Sequence, residues 1–75
     1  MKAQIRLDTM RDVLAFVAIA TRMHGNVYIT DNAGLKVSAK SLLGALYALE
    51  FEELWCEAEE DIYRNIEDFI IIWFS

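Results

Sequence analysis

Seventy-five residues with a net charge of −5 make one small domain, residues 1–75. A chain of this length buries only ~60% of its unfolded surface, near the lower limit for a core without staples. The single cysteine excludes an internal disulfide and a multi-thiolate metal centre. Six of the seven basic side chains and three acids fall in residues 1–40, whereas residues 41–75 hold nine acids and Arg64. With no basic cluster and a field that repels polyanions, direct nucleic-acid binding is disfavoured.

The opening M-K-A-Q-I-R-L alternates polar and apolar residues, unlike a signal h-region or a membrane span, so a cytoplasmic protein without membrane contact is expected. Residues 2–7 read as a first strand with Ala3, Ile5 and Leu7 on one face. Asp8 or Thr9 caps a helix through about Met23, and Asp12, three residues after Thr9, completes a capping box. Val13, Phe16, Val17 and Ala20 form its buried stripe, and Gly25 with Asn26 is expected to stop it.

Residues 27–30 read as a second strand, followed by the turn D-N-A-G with a positive φ at Asn32 or Gly34 and a return strand over 35–37. The period then changes. Leu42, Leu43, Leu46, Tyr47 and Leu49 recur at three and four residues, and Ser38 or Ser41 can cap that helix. Residues 53–58 alternate again, with Leu54, Cys56 and Ala58 inward and Trp55 and Glu57 outward. Glu60 and Asp61 open a last helix with a stripe of Ile62, Ile66, Phe69, Ile70 and Trp73. The order βαββαβα predicts an α+β open-faced sandwich: a four-stranded antiparallel sheet with helices on one face.

Residues 37–44, V-S-A-K-S-L-L-G, resemble the regulatory-serine segment of the HPr family, the phosphocarrier proteins of the bacterial sugar phosphotransferase system, with Ser41 on the family's serine. The element order agrees with that family's fold, so the resemblance extends over most of the chain. Its other landmark is a catalytic histidine at the start of the first helix, followed by alanine, arginine and usually proline. Here the segment is Thr9-Met10-Arg11-Asp12: Arg11 falls on the family arginine, but Thr9 falls on the histidine.

That departure implies a member without phosphocarrier chemistry. An imidazole nitrogen accepts and releases a phosphoryl group, whereas a threonine phosphoester is too stable to pass it on. His24, the only histidine, is at the far end of the helix, roughly 20 Å from Thr9 at the helical rise, and reads as a solvated helix-end residue. Thr9 and Arg11 form a helix N-terminus suited to an anion or an ordinary cap. The resemblance implies regulation by a dedicated serine kinase at Ser41 and docking to a transcriptional regulator or phosphotransferase component. Met10, Leu42, Leu43 and Leu46 would form the partner-binding surface, with Leu42 and Leu46 expected to face water.

No enzyme activity, cofactor or metal is expected. The competing readings are an active phosphocarrier with an atypical acceptor and a non-phosphorylated oligomerising domain. The apolar run 70–74 exceeds what one-sided helix packing hides, so a homodimer through the last helix is expected, with Ile71, Ile72 and Phe74 as contacts.

Overall fold

The computed structural model describes residues 1–74, with side chains as far as Ile71. Its strands are β1 (Lys2–Ile5), β2 (Val27–Thr30), β3 (Lys36–Ser38), β4 (Leu54–Ala58) and β5 (Ile70–Phe74). Its helices are α1 (Met10–Arg22), α2 (Leu42–Ala48) and the single turn α3 (Tyr63–Ile66), which runs into a 3₁₀ turn at Glu67–Phe69. The five strands form one antiparallel sheet in the order β3-β2-β4-β1-β5. The protein is an α+β open-faced sandwich with one strand more than the sequence pattern predicts.

Alternation sets the two faces of the sheet. Ile5, Val27, Ile29, Cys56 and Ala58 turn to one side and join Val13, Phe16 and Ala20 of α1 and Ala45 and Ala48 of α2 in a single core. Phe16 is fully buried and meets Phe69 edge-on at 5.5 Å, which ties α1 to the turn before β5. The other face is polar and helix-free. On it Lys36 sits 5.0 Å from the Tyr28 ring and 3.7 Å from Glu57. Trp55 belongs to this outer face yet is only 8% exposed, with the Lys2 ammonium 5.3 Å above its ring.

The turns follow their residue chemistry. Both Asn32 (φ 64°) and Gly34 (φ 129°) take the left-handed region, and Asp31 Oδ1 accepts from the Ala33 and Leu35 amides at 2.8 and 3.0 Å. Lys2 Nζ donates to Asn32 Oδ1, fastening the turn to β1. At the end of α1, Gly25 is not a left-handed stop. The chain leaves through Met23 in extended backbone (φ −76°, ψ 146°), and a Cβ on Gly25 would come within 3.2 Å of Glu59 Cβ.

The predicted last helix is the main correction. Ile62 and Ile66 are buried as its stripe requires, but the helix ends after one turn and the chain re-extends as β5 beside β1. Two causes act together. Ile62, at the helix start, makes no side-chain capping bond, and the following I-I-I-W-F is β-branched and aromatic, the composition that suits a pleated strand. β1 also offers an unpaired edge, so β5 gains a ladder that a helix would forgo. The pairing Gln4↔Ile72 and Ile5↔Ile70 leaves Ile71 unopposed, and this bulge residue is 47% exposed. A dimer through a C-terminal helix is therefore not available to this fold. Of its expected contacts, the Ile72 and Phe74 side chains lie outside the described part.

Candidate functional site

Thr9 caps α1 through a reciprocal pair of bonds. Its hydroxyl accepts from the Asp12 amide at 3.1 Å, while Asp12 Oδ2 accepts from the Thr9 and Asp8 amides at 3.2 and 2.9 Å. The capping box thus occupies the position that the resemblance assigns to the phosphoacceptor. Arg11 is exposed beside it and lines a shallow depression with Arg6, Asp8, Asp12 and Asp68, so any anion there would meet three carboxylates. The Thr9 hydroxyl oxygen is engaged as the acceptor of the Asp12 amide.

Ser41, and not Ser38, caps α2. Its Oγ accepts from the Gly44 amide at 3.1 Å, and the residue is exposed. The approach is held by the main chain: the Ala39 amide donates to Val27 O at 2.8 Å and the Ser41 amide to Ser38 O at 3.2 Å. Gly44 sits directly over this loop, where a Cβ would lie 3.2 Å from Ser38 O. Lys40, adjacent in sequence, does not stand free beside Ser41. Its ammonium donates to Met23 O at 2.7 Å and closes the carbonyl end of α1.

That bond also orients the helices. The start of α2 lies at the end of α1, and Leu7 and Asp8, before α1, line one depression with Leu49 and Phe51, after α2. The two helices are antiparallel, so Thr9 and Ser41 sit at opposite ends of the helical layer. The thirteen residues of α1 span about 20 Å. The two landmarks of the resemblance are not brought together into one site.

What the fold does assemble is an apolar seam between α1 and α2. Asp12 and Ala15 line the depression shared with Asp68 and Phe69, which fixes one flank of α1; the opposite flank, with Met10, Leu14 and Val17, turns to α2. On α2, Gly44 turns to β3 and Leu42, Leu46 and Leu49 turn the other way. Met10 is 53% exposed, Leu14 49%, Leu42 41% and Leu43 80%. Leu46, expected in water beside Leu42, is instead half-buried against the core. A seven-residue helix packed on Ala45 and Ala48 carries Leu46 down with it and leaves Leu43 at the crest.

Leu14, Tyr47 and Leu49 are exposed on the same helices; Tyr47 and Leu49 were read from sequence as part of the helical stripe, but none of the three was assigned to the partner-binding surface. The signal was present in the spacing: Leu14 follows Met10 by four residues, and Tyr47 follows Leu43 by four. Cys56 is fully buried in the sheet; burial pushes its thiol up to about 12, against a smaller lowering effect of the N-terminal ammonium. It has no nucleophilic role there. Among the described residues no group of three or more His, Cys, Asp or Glu is placed to hold a metal ion, and no helix is long and apolar enough to cross a membrane. Comparison with family models, with curated proteins and with solved structures gives no match to this chain.

Proposed function

We propose that this chain is an HPr-like cytoplasmic binding protein, related to the sugar phosphotransferase system, that carries no phosphoryl group on a histidine and is regulated at Ser41. The observation that carries this reading is Ser41 itself: an exposed helix cap that directly precedes the exposed Leu42 and Leu43. A phosphate on its Oγ adds about −1.5 to −2 charge next to first-turn amides that have no partner inside the helix, and changes the polarity at the end of an apolar surface. Its partners are a serine kinase and a transcriptional regulator or phosphotransferase component, met through Met10, Leu42, Leu43 and the neighbouring seam.

An atypical phosphocarrier is the poorer reading, because Thr9 Oγ1 already accepts a capping bond and an ester at that oxygen is not a transferable phosphoryl group. The deciding experiment treats the purified chain with an HPr-type serine kinase and ATP and locates phosphate by mass spectrometry. One phosphate on Ser41, absent from Ser41→Ala, is expected. No incorporation at Ser41 removes the regulatory reading and leaves an unphosphorylated interaction domain. In parallel, phosphoenolpyruvate and the general phosphotransferase enzyme should leave the protein unlabelled. Acid-labile label on His24 would refute the loss of carrier function.

A further inference from the structure

Where α1 begins and α2 ends, a depression of about 260 Å³ opens between the end of β1, the α2–β4 loop and the start of β5. Ile5 and Leu7, both buried, lie at its base, while Leu49 and Ile71, 41% and 47% exposed, stand at its sides. Ile71 is the bulge residue left unopposed between Ile5↔Ile70 and Gln4↔Ile72, and it also lines the neighbouring depression that Arg11 and Asp68 share. A bulge re-aims one side chain of an edge strand, and here it holds an isoleucine in solvent at the same hollow as Leu49. The volume is below the about 300–1,000 Å³ of small-molecule clefts, so the hollow suits one side chain of a larger partner.

The rim is acidic once all the basic side chains are placed. Asp8, Glu52 and Glu53 line the depression with Arg6, whose guanidinium is 3.9 Å from Asp8. Across Ile71, Asp12 and Asp68 stand with Arg11, and the Asp12 carboxylate is committed to the capping box. The other cations are elsewhere: Lys2 donates to Asn32, Lys36 pairs with Glu57, Lys40 and Arg22 stand at the far end of α1, and Arg64 lines a separate depression with Asp61. Glu52, Glu53 and Asp68 make no ion pair among the described residues, which leaves three carboxylates against the single guanidinium of Arg11. Exposed charges contribute little affinity each, but together they attract and orient a cationic partner.

We infer that this depression docks a basic segment of a partner protein. One aliphatic side chain of that segment enters between Leu49 and Ile71, and lysines or arginines on either side of it meet Glu52, Glu53 and Asp68. The depression lies at the opposite end of the helical layer from Ser41 and does not depend on phosphorylation there, so it is a second contact surface with its own ligand chemistry. Nucleic acid and acidic lipid are repelled by the same rim.

The test follows amide spectra of the isotope-labelled 75-residue chain during titration with a short peptide of lysines around one central leucine. Shifts should cluster at Arg6, Leu49, Glu52, Glu53 and Ile71 and approach saturation by about 1 mM peptide. Replacing the central leucine by serine should weaken binding about fivefold, since the apolar walls then lose their contact. Glu52→Gln combined with Glu53→Gln should weaken the leucine peptide by a similar factor and flatten its salt dependence. Both positions are exposed, and glutamine at 53 keeps an oxygen for the bond from Gln4, so the double variant retains the fold. Absence of saturable shifts, shifts centred on Glu59–Asp61, an equally tight serine peptide or an unaffected double variant each overturns the inference. The same shifts produced by raising the protein concentration without peptide would give the depression to a second copy and overturn it too. None of these outcomes bears on kinase labelling of Ser41, so this proposal and the regulatory reading fail separately.

Discussion

Thr9→Ala measures how much of the α1 N-terminus is architecture. The change removes the acceptor of the Asp12 amide at 3.1 Å and dissolves half of a reciprocal pair, while the Asp12 carboxylate still accepts from the Thr9 and Asp8 amides. Loss of such a cap costs about 1 kcal/mol, and for a domain of this size that lowers the melting temperature by about 4–8 °C. Thr9→Ser keeps the oxygen and should cost no more than a few tenths of that. Urea unfolding of Thr9→Ala, Asp12→Ala and the double variant closes a cycle. Because the two side chains close one reciprocal box, Thr9 Oγ1 holding the Asp12 amide and the Asp12 carboxylate holding the Thr9 and Asp8 amides, the double variant should lose less than the two single losses combined. Additive losses, or a Thr9→Ser variant as unstable as Thr9→Ala, would refute the capping box as the reason threonine stands here. A neutral Thr9→Ala would reopen a ligand role.

Stability should fall as pH rises above about 9. The unfolded Cys56 thiol ionises near 9.0, whereas burial keeps the folded thiol protonated to about 12, so between those values the unfolded state binds fewer protons and gains on the folded one. Chemical denaturation from pH 8 to pH 11 should show this slope diminished in Cys56→Ala; an equal slope in both proteins counts against the buried thiol as its source. Gly44→Ala should lower stability by about 1 kcal/mol, although an unhindered helix site gains a similar amount from that change. The new Cβ meets Ser38 O at 3.2 Å, and that oxygen already accepts the Ser41 amide, so it is not free to retreat. A rise in melting temperature would show that the β3–α2 loop relaxes after all.

The first six elements were legible because several kinds of signal agreed at each of them. Around α1, the capping residues Thr9 and Asp12, the stripe Val13, Phe16 and Ala20, and Arg22 at the carbonyl end all specify one helix between the same limits. At the hairpin, Asp31, Asn32 and Gly34 supply side-chain acceptors and left-handed backbone where the alternation on either side demands a reversal. β4 was legible from Leu54, Cys56 and Ala58 alternating with Trp55 and Glu57. The C-terminus carried two signals that conflict. Ile62, Ile66 and Phe69 keep a helical period, but residues 70–74 are apolar at every position, and an unbroken apolar run has no period to read. Choosing strand over helix there depends on the free edge of β1, a long-range fact that appears only once Lys2–Ile5 has paired with β4. The outcome of the run was set by a partner far away in sequence.

The candidate site was legible in composition and not in layout. Leu42 was expected on the exposed side of α2 and lies there, but Leu43, 80% exposed, was not expected to face water, and Leu46 was misjudged because its burial depends on which flank of α2 faces α1. That choice is made by Gly44, whose missing side chain lets α2 settle onto Ser38 and Val37 and turns Leu42 and Leu46 toward the seam. Lys40 shows the same limit. Adjacent to Ser41, it reads as a charge reserved for a phosphate, but the antiparallel packing that joins the start of α2 to the end of α1 commits its ammonium to Met23 O. A phosphate on Ser41 therefore has to rely on the amides of the first turn of α2, or draw Lys40 away and uncap α1. In the second case modification at one end of the helical layer loosens the carbonyl end of the neighbouring helix. Amide exchange at Ala20 and Met23, compared before and after phosphorylation, distinguishes the two: faster exchange marks release of Lys40, and unchanged protection leaves the first-turn amides as the phosphate's only hold.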